Sequence, residues 1–173
     1  MKVIDHQDDE FDLQKYMKAI FNHLNHFKSN LKTLNSKLNS FNAPDGSGVN
    51  NSNIRKALLV IDEISKGYKG KSMLWFEKGS AMISGFLAKA ELDKNINFDY
   101  SDLFEKNSIG KVVLANTTLD RGYDSESAAL ITLLRLSTEE LKVVLSKETT
   151  FCCVGSVDVG DRRYSSVLFA KNS

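Results

Sequence analysis

The amino-acid sequence predicts an α+β protein in which a long N-terminal coiled-coil helix precedes a small head with an antiparallel sheet and helices on one side. An apolar heptad repeat runs through residues 8–42, and short apolar runs separated by turn residues follow it. The turn-rich stretch APDGSGVNNSN lies between them. We therefore predict an amphipathic coiled-coil helix at 1–42, a flexible linker at 43–53 and an α+β head at 54–173.

The N-terminal repeat has apolar residues that are alternately four and three positions apart over about four heptads. As one helix this segment would extend about 50 Å, which exceeds the width of a head of about 120 residues. We therefore expect another chain to cover the apolar seam, and we favour a second copy over a different helical partner or packing within the monomer. Oligomer order and orientation stay open, because no Glu–Lys pairs flank the seam. The predicted oligomerisation residues are Leu13, Met17, Ile20, Leu24, Phe27, Leu31, Leu34, Leu38 and Phe41.

The same helix carries lysines but no acidic residue between Leu13 and Pro44. A repeated basic face in an oligomer would suit phosphate groups, as would two arginines at the tip of the last predicted hairpin. We favour the simpler interpretation of a solvated face, because this segment contains no arginine. Nucleic-acid binding is therefore the alternative function. The contact residues it predicts are Lys28, Lys32, Lys37, Arg162 and Arg163.

Capping and turn residues predict the elements of the head. The predicted helices are 52–66, 124–136 and 137–147, and the last begins with a capping box at Ser137–Glu140. A strand over 128–136 stays an alternative, because short apolar runs are ambiguous. The predicted strands are 72–77, 81–89, 110–118, 150–159 and 162–170, and the last two form a hairpin around Gly160-Asp161.

Charge and composition favour a soluble cytoplasmic protein. The 23 Lys and Arg residues nearly balance the 22 Asp and Glu residues, so no net field points to nucleic acid or a membrane surface. No stretch of about 18 apolar residues occurs that would span a bilayer, and the acidic N-terminus resembles neither a signal nor a transit peptide. Cys152 and Cys153 are adjacent, which makes them a poor disulfide pair and favours reduced, partly buried thiols.

Histidine usage argues against several kinds of catalysis in the head. The three histidines, His6, His23 and His26, all precede residue 43. A Ser–His or Cys–His nucleophile pair within the head is therefore excluded, as is a histidine-ligated metal site there. Acidic residues between 93 and 105 and between 120 and 126 leave a small Mg²⁺ or two-carboxylate enzyme as the least favoured alternative.

One segment has a superficial likeness to a nucleotide-binding loop. Residues 58–64 read LLVIDEI and residues 65–72 read SKGYKGKS, which resemble an acidic strand and a degenerate GxxxxGK[ST] motif. The P-loop needs a strand before its glycines and a helix that begins at GK[ST]. Here the two motifs are fused and the period of 54–64 is helical, so we reject nucleotide hydrolysis.

These observations predict a non-enzymatic, oligomeric interaction or regulatory protein whose coiled coil presents the head to a protein partner. We expect no catalytic residues, no cofactor, no metal and no membrane association.

Overall fold

The chain is an α+β protein, as the sequence predicts. A computed structural model describes residues 6–68, 70–93, 111–120, 123–160 and 162–171. Its elements in chain order are α1 (His6–Ser29), α2 (Leu31–Asn39), α3 (Asn51–Ser65), β1 (Leu74–Trp75), α4 (Glu77–Asp93), β2 (Lys111–Asp120), α5 (Ser125–Leu134), α6 (Thr138–Leu145), β3 (Phe151–Val159) and β4 (Arg162–Lys171).

The sheet has the strand order β1-β3-β4-β2. The β3–β4 hairpin turns at Gly160, whose positive φ of 63° suits glycine, so the predicted C-terminal hairpin is confirmed. β2 pairs antiparallel with β4, whereas β1 pairs parallel with β3 through only two residues, Leu74 and Trp75. The sheet is therefore mixed rather than purely antiparallel.

Helices cover both faces of the sheet, so the prediction of helices on one side is wrong. Cys152 and Val154 of β3 belong to the larger core cluster, which also contains side chains of α1, α2, α3, α5 and α6. Cys153, between them, belongs to a smaller cluster with Ile83 and Leu87 of α4. Alternate residues of a strand point to opposite faces, so α4 packs on the face opposite to the other helices.

The sequence predicted a strand over 81–89, and the structure has helix α4 there instead. Ile83 and Leu87 are four residues apart and face the sheet together, as helical spacing requires. The hydroxyl Oγ of Ser80 accepts the N–H of Val154 at 3.1 Å, and that of Ser84 accepts the N–H of Ser156 at 3.0 Å. These two serines thus provide acceptors for backbone N–H groups at the edge of β3, beyond the two residues that pair with β1.

The close approach of α4 to β3 depends on Gly155. A Cβ at this position would overlap the side chain of Ile83 and lie 2.7 Å from the backbone nitrogen of Ser84. A side chain here would therefore push α4 away from the strand.

The predicted continuous N-terminal helix is not confirmed, because it breaks at Asn30. Asn30 is the N-cap of α2, and its side chain accepts the N–H of Thr33 at 3.2 Å. The predicted linker is fixed in its middle, since Ser47 is buried and its carbonyl accepts the Arg135 guanidinium at 2.6 Å from Nη2. One core cluster joins α1 and α2 to the predicted head, so the core does not follow the predicted boundary at 43–53.

Local capping signals place α5 and α6 as predicted. Asp124 caps α5, which resolves residues 128–134 as helix, and every side chain from Ala128 to Leu134 is buried. Ser137 and Glu140 form both bonds of the capping box that begins α6. The buried stretch of α5 contains one polar side chain, Thr132, whose hydroxyl donates to the carbonyl of Ala128 at 2.8 Å, and a helix segment buried on all sides lies inside a fold. None of the helices in the described part of the chain has the length and apolar character that crossing a membrane requires.

Candidate interaction surface

The apolar seam of the N-terminal helices is buried within the chain's own core. Its middle residues, from Ile20 to Leu38, are at most 8% exposed, and Met17 and Phe41 pack against the same cluster. Leu13 is partly buried. α1 packs on α5 and β3, and α2 packs on α3. The inference that another chain must cover this seam is therefore wrong, and any self-association needs a different surface.

The predicted basic contact residues do not form one face. Lys28 is buried, and its Nζ donates to the carbonyl of Thr149 at 2.6 Å. The Lys37 ammonium lies 3.3 Å from the Glu126 carboxylate. Lys32 is exposed, and the side chain of Arg162 lies outside the described part of the structure.

Arg163, the second arginine of the predicted hairpin tip, is held within the sheet. Its guanidinium donates to both carboxylate oxygens of Asp158, at 2.8 and 3.2 Å, across the β3–β4 pair. The same guanidinium lies 4.7 Å from the ring centre of Tyr16 on α1. This arginine therefore ties α1 to the hairpin and does not project from its tip.

Lys28 lies in a buried polar cluster that joins α1 to two distant segments. The Tyr68 hydroxyl donates to the carbonyls of Lys28 at 2.6 Å and Leu145 at 2.5 Å. Burial lowers the pKa of the Lys28 ammonium to about 8 and raises the pKa of Tyr68 to about 12.

The two cysteines cannot supply a thiolate near neutral pH. Burial raises the pKa of Cys152 well above its ordinary value, and it raises the pKa of Cys153 to about 12. Both thiols are therefore protonated, and the nucleophilic form is absent. Among the described residues, no group of three or more His, Cys, Asp or Glu side chains is arranged to hold a metal ion.

The acidic residues considered for Mg²⁺ or two-carboxylate chemistry either have structural roles or lie outside the described part of the structure. Asp124 caps α5, and Glu126 pairs with Lys37 of α2. The acidic side chains between 93 and 105, and that of Asp120, lie outside the part that the structure describes.

Residues 70–76, which we call the strap, run along α1. The side-chain amide of Asn25 pairs with both backbone groups of Met73, at 2.7 and 2.9 Å. Trp75 packs edge-on against Phe21, with ring centres 5.3 Å apart. The strap contains the end of the loop-like motif, and residues 58–64 before it are helical, as expected. The strand–loop–helix order of a phosphate-binding loop is therefore absent from this described segment.

The outer face of α3 combines an exposed leucine with four charges. Leu59 is 70% exposed. Arg55 and Lys56 precede it on the same helix, Asp62 and Glu63 follow it, and all four are exposed. The opposite face of α3 supplies the buried residues Ile54, Ala57, Val60 and Ile61. The inner side of the helix is therefore packed against the core, and its outer side presents an apolar side chain within a charged surface.

A groove lies beside Leu59, between α2 and α3. Its volume is about 450 Å³, and it is lined by Asn35, Asn39, Arg55, Leu58, Leu59 and Asp62. The amide of Asn39 donates to the carbonyl and to the side-chain oxygen of Asn35, at 3.0 and 2.8 Å. The N–H groups of the Asn39 side chain therefore have acceptors on α2, so an apolar side chain that enters the groove does not leave these donors unpaired.

A second cavity of about 570 Å³ lies between α3, α5 and α6. Lys56 and Arg135 are at its rim, but the Arg135 guanidinium donates to Ser47. The first turn of α6 is occupied by its own capping box, formed by Ser137 and Glu140. Arg135, Ser137 and Glu140 thus have partners within the chain, so these polar groups are not free to bind a ligand in this cavity.

Sequence reasoning did not identify Leu59. The sequence does contain a pattern that marks this residue. Leu59 lies off the apolar stripe that Ile54, Leu58 and Ile61 form, and basic and acidic pairs flank it. An apolar residue on the polar side of an amphipathic helix is the feature to look for.

Comparison with known proteins adds no relative. No family model, no curated protein and no solved structure matches this chain.

Proposed function

We propose that this protein is a non-enzymatic interaction protein that self-associates through the outer face of α3 and the adjoining α2–α3 groove. The observation that carries the proposal is the 70% exposure of Leu59 at the centre of a charged helix face. Fully burying a leucine side chain contributes about 1.5–3 kcal/mol of favourable free energy, so covering Leu59 stabilises a complex.

The surface has the anatomy of an interface that can bind its own copy. Interfaces have an apolar centre and a polar rim, and here Leu59 is surrounded by charged residues. The same face carries a projecting leucine and a groove with Leu58 in its wall. A two-fold dimer uses one patch twice, so a patch with both a projection and a recess can be complementary to itself.

The alternatives have less support. Nucleic-acid binding would draw on five basic residues, and three of them are engaged within the chain: Lys28 is buried, and Lys37 and Arg163 are in ion pairs. Of the other two, Lys32 is exposed, and the side chain of Arg162 lies outside the described part of the structure. Thiol catalysis would need an ionised cysteine, and the raised pKa values of Cys152 and Cys153 oppose it.

Sedimentation equilibrium over a concentration series up to ~1 mM tests this function, because interfaces of small area are transient. We expect the mean mass of the wild type to rise from 19.3 kDa, the mass of one chain, toward twice that value. Leu59→Ser should stay at the mass of one chain. Leu74→Ser is the matched control, since Leu74 is 63% exposed on β1, away from α3, and this variant should behave as the wild type does. A wild type that remains a single chain throughout, or a Leu59→Ser variant that assembles equally well, would overturn the proposal.

A further inference from the structure

The charges on the outer face of α3 are antisymmetric about Leu59. Arg55 and Lys56 lie four and three residues before it, and Asp62 and Glu63 lie three and four residues after it. Positions three and four residues away on a helix lie on the same side as the central residue. The exposed surface therefore has a basic end, a central leucine and an acidic end.

We propose that two copies pair with their α3 helices antiparallel, about a two-fold axis that passes beside Leu59; this inference rests on the proposed self-association. Residues on the same lateral side of Leu59 but at opposite ends of the face then lie opposite each other. Arg55 and Asp62 share the side that lines the groove, so Arg55 of one protomer meets Asp62 of the other, and Lys56 meets Glu63 on the other side. The symmetry makes each contact twice, so one helix face supplies four opposite-charge pairs around two leucines.

The charge pattern selects this orientation over a parallel one. In a parallel pair, ends of the same charge would meet, so Arg55 would face Lys56 of the other copy and Asp62 would face Glu63. Like charges placed opposite each other across an interface disfavour that arrangement, whereas opposite charges both attract and fix the register. The antiparallel pair is therefore the arrangement that this surface specifies.

The groove determines where the central leucine goes. Leu58 and Leu59 are its apolar lining residues, and Arg55 and Asp62 are its charged ones. In the antiparallel pair, Leu59 of each protomer approaches the groove of the other, while Arg55 and Asp62 meet their opposite-sign partners. We therefore assign the α2–α3 groove to the leucine of a second copy.

One of the charges has a competing partner within the chain. The Glu63 carboxylate lies 3.4 Å from the Lys142 ammonium, with 67% and 32% of the two side chains exposed. Exposed ion pairs of this kind contribute little, so Glu63 can share its charge with the Lys56 of another protomer.

Charge reversal on α3 tests the orientation. Arg55→Glu combined with Lys56→Glu makes both ends of the face acidic, and we expect self-association to weaken by at least about tenfold. The matched control reverses all four charges, Arg55→Glu, Lys56→Glu, Asp62→Lys and Glu63→Lys. It keeps the net charge and the antisymmetry, and it places two lysines in the last turn of the helix, which the helix dipole favours. This variant should self-associate as the wild type does.

Sedimentation equilibrium at about 0.05 M and 0.5 M NaCl measures the association of all three proteins, and far-UV circular dichroism confirms that each is folded. Association of the wild type and the fourfold variant should weaken at the higher salt, where charges are screened over shorter distances. If the wild type dimerises but the double reversal does not change its affinity, or the fourfold variant fails to pair while folded, the antiparallel arrangement is wrong and self-association still stands. If the wild type does not dimerise at all, both proposals fail.

Discussion

Replacing Lys28 by methionine tests whether its ammonium group is buried between α1 and the segment that precedes β3. Lys28 is 1% exposed, and its Nζ donates to the Thr149 carbonyl, which belongs to the segment before β3. Methionine keeps an unbranched side chain but removes the charge. It also loses the hydrogen bond to Thr149, a cost that does not depend on pH.

The magnitude follows from the lowered pKa of Lys28. Desolvation brings this pKa from 10.5 to about 8 in the folded chain, which corresponds to about 3 kcal/mol of destabilisation when the group must be charged. The folded pKa lies below the unfolded one, so the unfolded chain binds more protons between these two values. The cost is therefore fully present below about pH 8 and is relieved as pH rises toward 10.5.

Urea unfolding of the wild type and Lys28→Met at about pH 7 and pH 9.5 measures this effect. Relative to the variant, the wild type should gain about 2 kcal/mol in its free energy of unfolding between these two pH values. The raised pKa values of Cys152 and Cys153 act in the opposite direction above pH 9, because unfolded thiols ionise first. That contribution is common to both proteins and cancels in the difference. A stability difference that stays constant with pH would refute the burial of a titrating Lys28.

Three further substitutions test the packing. Leu24→Ala should lower the free energy of unfolding, measured by urea titration, by about 2–5 kcal/mol. It should leave the concentration dependence of the mass unchanged. A change in mass with intact stability would mean that the seam is an interface after all. Gly155→Ala should cost about 1–3 kcal/mol, because its Cβ overlaps α4, and an unaltered melting temperature would contradict that close packing. Ser137→Ala should cost about 1 kcal/mol through loss of the α6 cap, whereas a neutral result would mean that the capping box contributes nothing.

The elements that the sequence predicted well are those with local signals. The capping box at Ser137 and Glu140, the cap at Asp124 and the turn at Gly160 depend on residues close in sequence, so α5, α6 and the C-terminal hairpin follow from it. Helix α3 has regular apolar spacing and a glycine, Gly67, just beyond its end, and its bounds were also predicted within a few residues.

The errors come from contacts between distant segments. The argument for a coiled coil assumed a straight helix with a globule beside it, but the break at Asn30 allows α1 and α2 to pack on different partners. α5 is buried all round, which provides a second apolar surface that the length argument did not count. α4 was taken for a strand because residues 81–89 form a short apolar run that follows turn formers at Lys78-Gly79.

The candidate site was predictable only in part. Lys28 was assigned to a solvated face, because nothing near it in sequence reveals that Tyr68 and Thr149 enclose it. The charged pairs around Leu59 are visible in the sequence, but their value depends on α2 leaving that face of α3 uncovered. An exposed surface is a property of the whole fold, so local patterns could suggest it and could not establish it.

The central claim is that residues 20–38 are covered by their own chain, so that self-association uses another surface. Amide hydrogen exchange, followed by mass spectrometry over a dilution series, tests it directly. We expect the protection of 20–38 to be the same at every concentration. Loss of protection at 20–38 on dilution, in step with dissociation, would mean that another chain covers the seam after all.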